Sequence, residues 1–306
     1  MATLKQLAKR EERFVSGHRL CPGCGAGLIA RMVMLAIEKP VIVGNATGCL
    51  EVASTIFPYS SWNVPWVHSA FENVSASLSG VEAAYRSLKK QGKIDEDVVF
   101  VAFGGDGGTY DIGLQSLSGA AERGHKMLYV CYNNQAYMNT GVQRSSATSK
   151  GAHTSTSPVG KAIPGKGQFP KDLASIMVAH NIPYVATSIP GRWNDLVNKV
   201  EKAVSFNGFT FIDVLSPCRL GWPHEPSITM EIARLAAETC IWPLYEVVEG
   251  KYRLTFRPKE KKPITEWFKL QRRFAHLLKP ENQPLLEEIQ KEVDTKWEAL
   301  LKKCEG

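Results

Sequence analysis

The chain has 306 residues, of which 44% are hydrophobic and 22% charged, and its formal net charge is +7. This length is enough for one large domain or two small ones with a full core. No apolar run approaches the roughly 20 residues of a membrane span, no apolar leader follows the charged N-terminus, and the dispersed basic residues form no nucleic-acid motif. We therefore expect a cytoplasmic protein that contacts neither membrane nor nucleic acid.

The predicted elements alternate between helices and strands. In chain order they are a helix at about 26–37, a strand at 40–46, a helix at 71–92, a strand at 98–103, a helix at 111–122, a strand at 126–134, a helix at 171–180, a strand at 183–187, a helix at 193–206 and a strand at 209–215. This alternation predicts the α/β class, with a mostly parallel sheet covered by helices on both faces.

Two regions depart from the alternation. Residues 140–168 are rich in Gly, Ser, Thr and Lys without clear periodicity, and a loop of that length inside a compact domain favours a functional role. From residue 246 the chain becomes charged and is predicted to be mainly helical. We therefore predict a main domain at 1–245 and an extension at 246–306 that packs on a neighbouring subunit without chemistry of its own.

A glycine-rich turn, "GGDGG" at 104–108, follows the strand at 98–103. Glycines there let phosphate oxygens approach the backbone at a helix start, and Asp106 is placed to hold a divalent cation. The next strand ends in Asn133 and Asn134. Asn134 lies 28 residues beyond Asp106, a spacing that accommodates one helix and one returning strand. Carboxylate and amide oxygens suit Mg²⁺, so the sequence predicts a magnesium–diphosphate site.

The seven cysteines are too sparse for a secreted disulfide scaffold. Four of them could form one metal centre: Cys21 and Cys24 of "CPGC", Cys49 after the strand at 40–46, and Cys218 after the strand at 209–215. Four thiolates suit either zinc or an iron–sulfur cluster. The remaining cysteines are predicted to be structural, namely Cys131, Cys240 and Cys304.

The two polar motifs together resemble the diphosphate-binding signature of thiamine-diphosphate enzymes, in which Gly-Asp-Gly is followed one β-α-β unit later by Asn-Asn. The resemblance implies that Asp106, the Asn134 side chain and the Ala136 carbonyl hold magnesium. It also implies that Gly105 and Gly107 let the backbone approach the diphosphate.

A longer series of motifs resembles the β subunit of the multi-subunit pyruvate:ferredoxin oxidoreductases, also called pyruvate synthases. The series runs over about residues 14–248 and comprises "GHRLCPGCGAGL", "NATGCLEV", "VPWVHSAFENVSASLSGVEAA", "FGGDGGTYDIGLQSLSGAAERGH", "YNNQAYMNTGVQRSSAT", "TSTSPVGK" and "LSPCRLGW". By this resemblance a [4Fe-4S] cluster is bound by Cys21, Cys24, Cys49 and Cys218. Further thiamine-diphosphate contacts are implied for Thr47, Gly48, Cys49 and Thr140, while Asn139 lies near the substrate and the thiazolium. His68, in a motif near the cofactor, is expected either to contact the cofactor or to be a structural histidine.

The implied reaction is the reversible, coenzyme A-dependent oxidative decarboxylation of pyruvate to acetyl-CoA and CO₂, with electrons passed singly through the cluster to ferredoxin. The glutamate that activates the cofactor is expected on an α subunit, and γ and ferredoxin-like δ subunits complete the complex. Two alternatives stay open. One is the same chemistry on another 2-oxoacid, such as oxalate, 2-oxoglutarate, a branched-chain or an aryl 2-oxoacid, and the other is a non-catalytic, zinc-bearing assembly subunit.

Overall fold

The computed structural model describes residues 2–305. Its eight strands are β1 (Val41–Ala46), β2 (Trp66–Ser69), β3 (Val99–Gly105), β4 (Leu128–Asn133), β5 (Tyr184–Ser188), β6 (Thr210–Leu215), β7 (Tyr245–Val248) and β8 (Lys251–Leu254). They form one sheet in the order β2-β1-β3-β4-β6-β5-β7-β8. The first six strands in this order are parallel, and β7 and β8 add an antiparallel hairpin at the β5 edge.

Ten α-helices accompany the sheet in the described part of the chain. They are α1 (Leu4–Leu7), α2 (Gly25–Ala36), α3 (Cys49–Ser54), α4 (Val74–Lys90), α5 (Leu114–Glu122), α6 (Leu173–Ala179), α7 (Trp193–Ala203), α8 (Thr229–Glu238), α9 (Ile264–Lys269) and α10 (Gln283–Glu305). None of these helices within residues 2–305 is both long and apolar enough to cross a membrane. The predicted α/β class with a mostly parallel sheet is confirmed.

Alternation along the strands divides the core between the two faces of the sheet. In β3, Val101 and Phe103 belong to the cluster under α2 and α7, whereas Phe100 and Ala102 belong to the cluster on the opposite face. Because both faces are covered, the central parallel strands are mainly apolar, with Asn45 of β1 and Asp213 of β6 among the buried polar exceptions.

The structure differs from the predicted elements in several places, including the short helix α3, and three differences bear on the site or on the predicted domain division. Strand β2 was not predicted, because its four residues are only partly apolar. The helix predicted to begin at residue 111 is preceded by a π-helical segment, Gly107–Ile112, that starts directly after Asp106. Strand β7 spans the predicted domain boundary at 245/246 and pairs with β5, so the beginning of the extension is part of the sheet.

The extension packs extensively on its own chain. Ile289 and Val293 of α10 join Trp267 and Phe274 in a third apolar cluster, and Trp297 of α10 packs in the cluster on the face that holds Phe100 and Ala102. Contact with a neighbouring subunit and the division at residue 245 stay predictions.

Candidate functional site

The predicted site residues converge at the carboxyl edge of the sheet. Thr47 follows β1, Asp106 follows β3, Asn134 follows β4, and Cys218 lies three residues beyond β6. These strands are parallel neighbours, so their carboxyl ends meet at one edge, where open α/β sheets bind their ligands.

One pocket at this edge is lined by most of the predicted cofactor contacts. These are Thr47, Gly48, Cys49, Gly105, Gly107, Asn134, Ala136, Asn139 and Thr140. Phe71, Tyr132, Tyr137 and Met138 complete much of the wall, although the sequence had singled out none of them. Asp106 and His68 do not line this pocket but lie behind it and beside it.

Asp106 is fully buried behind the pocket. Its Oδ1 accepts the backbone N–H of Asn134 at 3.0 Å, and its Oδ2 accepts the Ser145 hydroxyl. Burial raises the pKa of Asp106 to about 7, although these hydrogen bonds act in the opposite direction. A cation at this carboxylate would favour its ionised form.

The Asn134 amide is placed against two other oxygens. The terminal atom that faces them lies 2.8 Å from the Ala136 carbonyl oxygen and 2.9 Å from Asp106 Oδ1. If the amide nitrogen of Asn134 faces these oxygens, it donates a hydrogen bond to each. If the amide is rotated by 180°, the oxygens of Asn134, Ala136 and Asp106 converge. Three converging oxygens are a ligand set that Mg²⁺ prefers, so the residues fit the predicted ion. We call Asp106, Asn134 and Ala136 the oxygen site.

Two glycines of the pocket wall have no room for a side chain. A Cβ at Gly107 would lie 2.4 Å from the Tyr137 ring, and one at Gly48 would lie 2.5 Å from the Tyr132 hydroxyl. Glycine at both positions therefore permits the close approach of an aromatic ring to the backbone.

His68 bonds to a neighbouring pocket residue. Its Nε2 lies 2.6 Å from Thr47 Oγ1 and 3.9 Å from Glu51 Oε2, and 45% of the His68 side chain is exposed. The histidine therefore orients Thr47 at the pocket rim. Direct contact between His68 and a cofactor stays a prediction.

Asn139 and Thr140 lie on a small hairpin that forms part of the pocket wall. Tyr137 and Gln143 exchange backbone hydrogen bonds of 2.9 and 3.2 Å, which close the turn that carries both residues. The Thr140 hydroxyl donates within this turn, 3.3 Å from the Tyr137 carbonyl oxygen.

The four predicted cluster ligands lie in turns around the same edge. Cys24 immediately precedes α2, Cys49 begins α3, and Cys218 Sγ accepts the Gly221 backbone N–H at 3.4 Å. Burial, reinforced by the neighbouring thiols, raises the pKa of Cys24 to about 11 and of Cys49 to about 12. We call Cys21, Cys24, Cys49 and Cys218 the cysteine site.

The turns that carry Cys24 and Cys218 are in direct contact, because the Gly25 backbone N–H donates to the Pro217 carbonyl oxygen at 3.2 Å. The other three thiols and the Asp106 carboxylate add to the rise in the pKa of Cys49. Within residues 2–305, no three His, Cys, Asp or Glu side chains converge tightly enough to hold a single metal ion. Cys131 is buried in β4 and Cys240 is buried after α8, whereas the predicted ligands Cys24, Cys49 and Cys218 are only partly buried.

The long loop at 140–168 is ordered against the site. Thr148 Oγ1 donates to the Gln135 carbonyl oxygen at 2.6 Å, and Ser149 Oγ donates to Gln135 Oε1 at 3.0 Å. Ser145 adds its bond to Asp106. The loop therefore braces the turn that carries Asn134, and Ser145 is a site residue that sequence reasoning missed because nothing local marks it among the loop's serines and threonines.

Comparison with known proteins defines the class of this domain. Residues 44–214 match the family described as thiamine pyrophosphate enzyme, C-terminal TPP binding domain. A solved structure of 2-oxoglutarate:ferredoxin oxidoreductase from Magnetococcus marinus aligns with a TM-score of 0.56 and 21% identity, covering 76% of this chain and 84% of that chain. At this identity the likeness concerns the fold alone.

The curated relatives are more specific. Pyruvate synthase subunit PorB of Thermotoga maritima is 52% identical, over 97% of this chain and 95% of that protein. The subunit of the same name from Methanocaldococcus jannaschii is 51% identical, over 95% and 97%. Ketoisovalerate oxidoreductase subunit VorB of Pyrococcus abyssi is 42% identical, over 96% and 94%. The chain belongs to the β-subunit (PorB) family of the 2-oxoacid:ferredoxin oxidoreductases, thiamine-diphosphate enzymes that work with partner subunits.

Proposed function

We propose that this chain is the β subunit of a pyruvate:ferredoxin oxidoreductase and that it carries magnesium, thiamine diphosphate and a [4Fe-4S] cluster. The reaction consumes pyruvate, coenzyme A and two oxidised ferredoxins. It yields acetyl-CoA, CO₂, a proton and two reduced ferredoxins, and it is reversible.

The position of Cys49 is the main structural support for this proposal. This residue lines the same pocket as Asn134 and Ala136 and begins α3, at the sheet edge that also carries the adjoining turns of Cys24 and Cys218. A cofactor in the pocket and a cluster on the thiols would therefore be immediate neighbours. Such adjacency suits electron transfer, whereas a structural zinc ion would gain nothing from it.

The residues of this chain have distinct tasks in the proposed reaction. Asp106, Asn134 and Ala136 hold magnesium, and Ser145 keeps the Asp106 carboxylate oriented. The hairpin presents Asn139 to the substrate and the thiazolium. When bound, thiamine diphosphate supplies the electron sink for decarboxylation, and the cluster accepts electrons one at a time.

The remaining groups come from other chains in this proposal. An α subunit supplies the glutamate that hydrogen-bonds the cofactor, a γ subunit completes the complex, and a ferredoxin-like δ subunit carries electrons to soluble ferredoxin. The substrates are a 2-oxoacid and coenzyme A. Pyruvate is favoured over ketoisovalerate because identity to the PorB relatives reaches 52%, against 42% to the VorB relative.

Anaerobic purification of the whole complex tests this proposal. We expect roughly four irons and four sulfides bound by the cysteine site, one thiamine diphosphate per β subunit, and ferredoxin reduction that is fastest with pyruvate. Faster turnover of ketoisovalerate or 2-oxoglutarate would show that pyruvate is not the preferred substrate. Zinc without sulfide would instead favour the assembly-subunit alternative.

A further inference from the structure

Arg273 is a buried cation in the extension. It lies in a 3-10 segment, Arg272–Leu278, between α9 and α10, and only 3% of the residue is exposed. Among residues 2–305 it forms no ion pair with a carboxylate. Burying an unpaired charge is costly, so a charge of opposite sign is expected nearby.

Neutral groups hold the guanidinium in place. Its Nη2 donates to Gln135 Oε1 at 2.7 Å and its Nε donates to Gln271 Oε1 at 3.0 Å. The guanidinium carbon lies 3.9 Å from the centre of the Trp222 ring and 4.7 Å from that of Phe274. These contacts orient the cation without neutralising it.

The partners of Arg273 belong to the two halves of the site. Trp222 donates its backbone N–H to the Cys218 carbonyl oxygen at 2.8 Å, in the same turn whose Gly221 N–H reaches Cys218 Sγ. The Trp222 indole N–H donates to the Asn134 carbonyl oxygen, also at 2.8 Å. Gln135 directly follows Asn134, so Arg273 touches the cysteine site's turn and the oxygen site's turn at once.

Charges on both sites act on this cation. Burial lowers the pKa of Arg273, whereas Cys218 and Asp106 oppose that shift, and the guanidinium keeps its proton. Four thiolates around a cluster carry net negative charge, and that charge grows by one when the cluster is reduced.

We propose that Arg273 is a positioning residue shared by the two sites, which holds the Cys218 turn against the Asn134 turn and raises the reduction potential of the cluster. This inference rests on the proposed function, because it needs the cluster. It assigns a role at the site to the extension, for which the sequence predicted none.

Redox titration of the purified complex, followed by electron paramagnetic resonance, tests the inference. In Arg273→Gln we expect the one-electron reduction equilibrium of the cluster to fall by about tenfold or more, a shift of about 59 mV at tenfold. Arg273→Lys keeps the charge and should recover most of this potential. Arg13→Gln is the matched control, because Arg13 donates to the Ile37, Glu38 and Lys39 carbonyl oxygens at the opposite edge of the sheet.

If the Arg273→Gln complex does not assemble, Gln271→Glu tests the same inference. Gln271→Glu has almost the same shape and places a carboxylate against Arg273, so it should also lower the potential. An unchanged potential in either variant with full iron and sulfide overturns the inference. A wild-type complex without iron and sulfide contradicts the proposed function instead.

Discussion

The oxygen site and the cysteine site share one edge of the sheet but are built differently. Asp106 is buried and already has hydrogen bonds from Asn134 and Ser145. The cysteine site is more exposed, and the Cys218 sulfur accepts backbone N–H groups of its own turn, including that of Gly221. Within this chain, therefore, one site is organised before its ligand arrives, whereas the geometry of the other depends more on the ligand that the thiols bind.

The largest effect is expected from removing the carboxylate of the oxygen site, which tests whether this site is organised around Asp106. Asp106→Asn keeps the shape but loses the charge, so we expect magnesium-dependent thiamine-diphosphate binding to weaken by roughly 100-fold or more, beyond the usual effect of an outer-shell partner. Calorimetric titration of the complex measures this. Asp213→Asn is the control, since it removes a buried carboxylate whose pKa is also raised to about 7 but that bonds Tyr110. Wild-type affinity in Asp106→Asn would show that Asp106 is not a ligand.

Two cysteine variants test where the sites join. Cys49→Ala should lose the cluster and also lower thiamine-diphosphate content, because Cys49 lines the pocket. Cys21→Ala should lose the cluster with cofactor content nearly unchanged, because Cys21 is exposed and lies outside that wall. Iron, sulfide and thiamine assays on each complex decide this. Equal cofactor loss in both variants would mean that the cluster, and not Cys49 itself, supports the pocket.

A smaller effect is expected from the brace on the oxygen site. Ser145→Ala removes the hydroxyl that donates to Asp106, and loss of such a partner typically costs 10–100-fold in metal affinity. Magnesium titration of cofactor binding measures the change. Ser155→Ala is a control in the same loop, since Ser155 donates to the Gly141 carbonyl oxygen at 2.8 Å. Equal magnesium affinities in the two variants would contradict a role for Ser145.

The smallest expected effect concerns the pH dependence of loop packing. Lys166 donates to the Ser146 and Thr148 carbonyl oxygens, and burial lowers the pKa of Lys166 to about 8. Between about pH 8 and 10.5 the unfolded chain holds this proton and the folded chain releases it, so this lysine makes the free energy of unfolding rise with pH. Lys166→Met should reduce that rise in urea titrations of the complex across this range. An identical pH dependence in both proteins would contradict the predicted shift.

Much of this site could be predicted from short segments. Asp106 and Asn134 were paired because a strand, a helix and a returning strand span the 28 residues between them. Each predicted strand of the parallel sheet was found because a buried parallel strand is a continuous apolar run. Strand β2 escaped detection because an edge strand of four residues, Trp66–Ser69, carries little of that signal.

The contacts that brace the site could not be predicted from sequence patterns. Ser145 is one hydroxyl in a loop of many, and only folding brings it to Asp106, 39 residues away. Tyr132 continues an apolar strand, and its place against Gly48 follows from the face on which β4 directs it.

The sequence by itself determined the main alternation of strands and helices and the glycine turn, and it supplied the candidate oxygen and sulfur ligands. The alternation and the turn depend on local backbone preferences and on spacing within one β-α-β unit, which can be read from the sequence, whereas the assignment of the four cysteines to a cluster came from resemblance to a family. The tertiary structure alone decided that Arg273 lies against Gln135, 138 residues away, and against Trp222. Such a contact forms only when the extension packs back on the sheet edge. The burial of α9 and α10 places the charge of Arg273 between the two sites, and no local sequence pattern around Arg273 indicates this position.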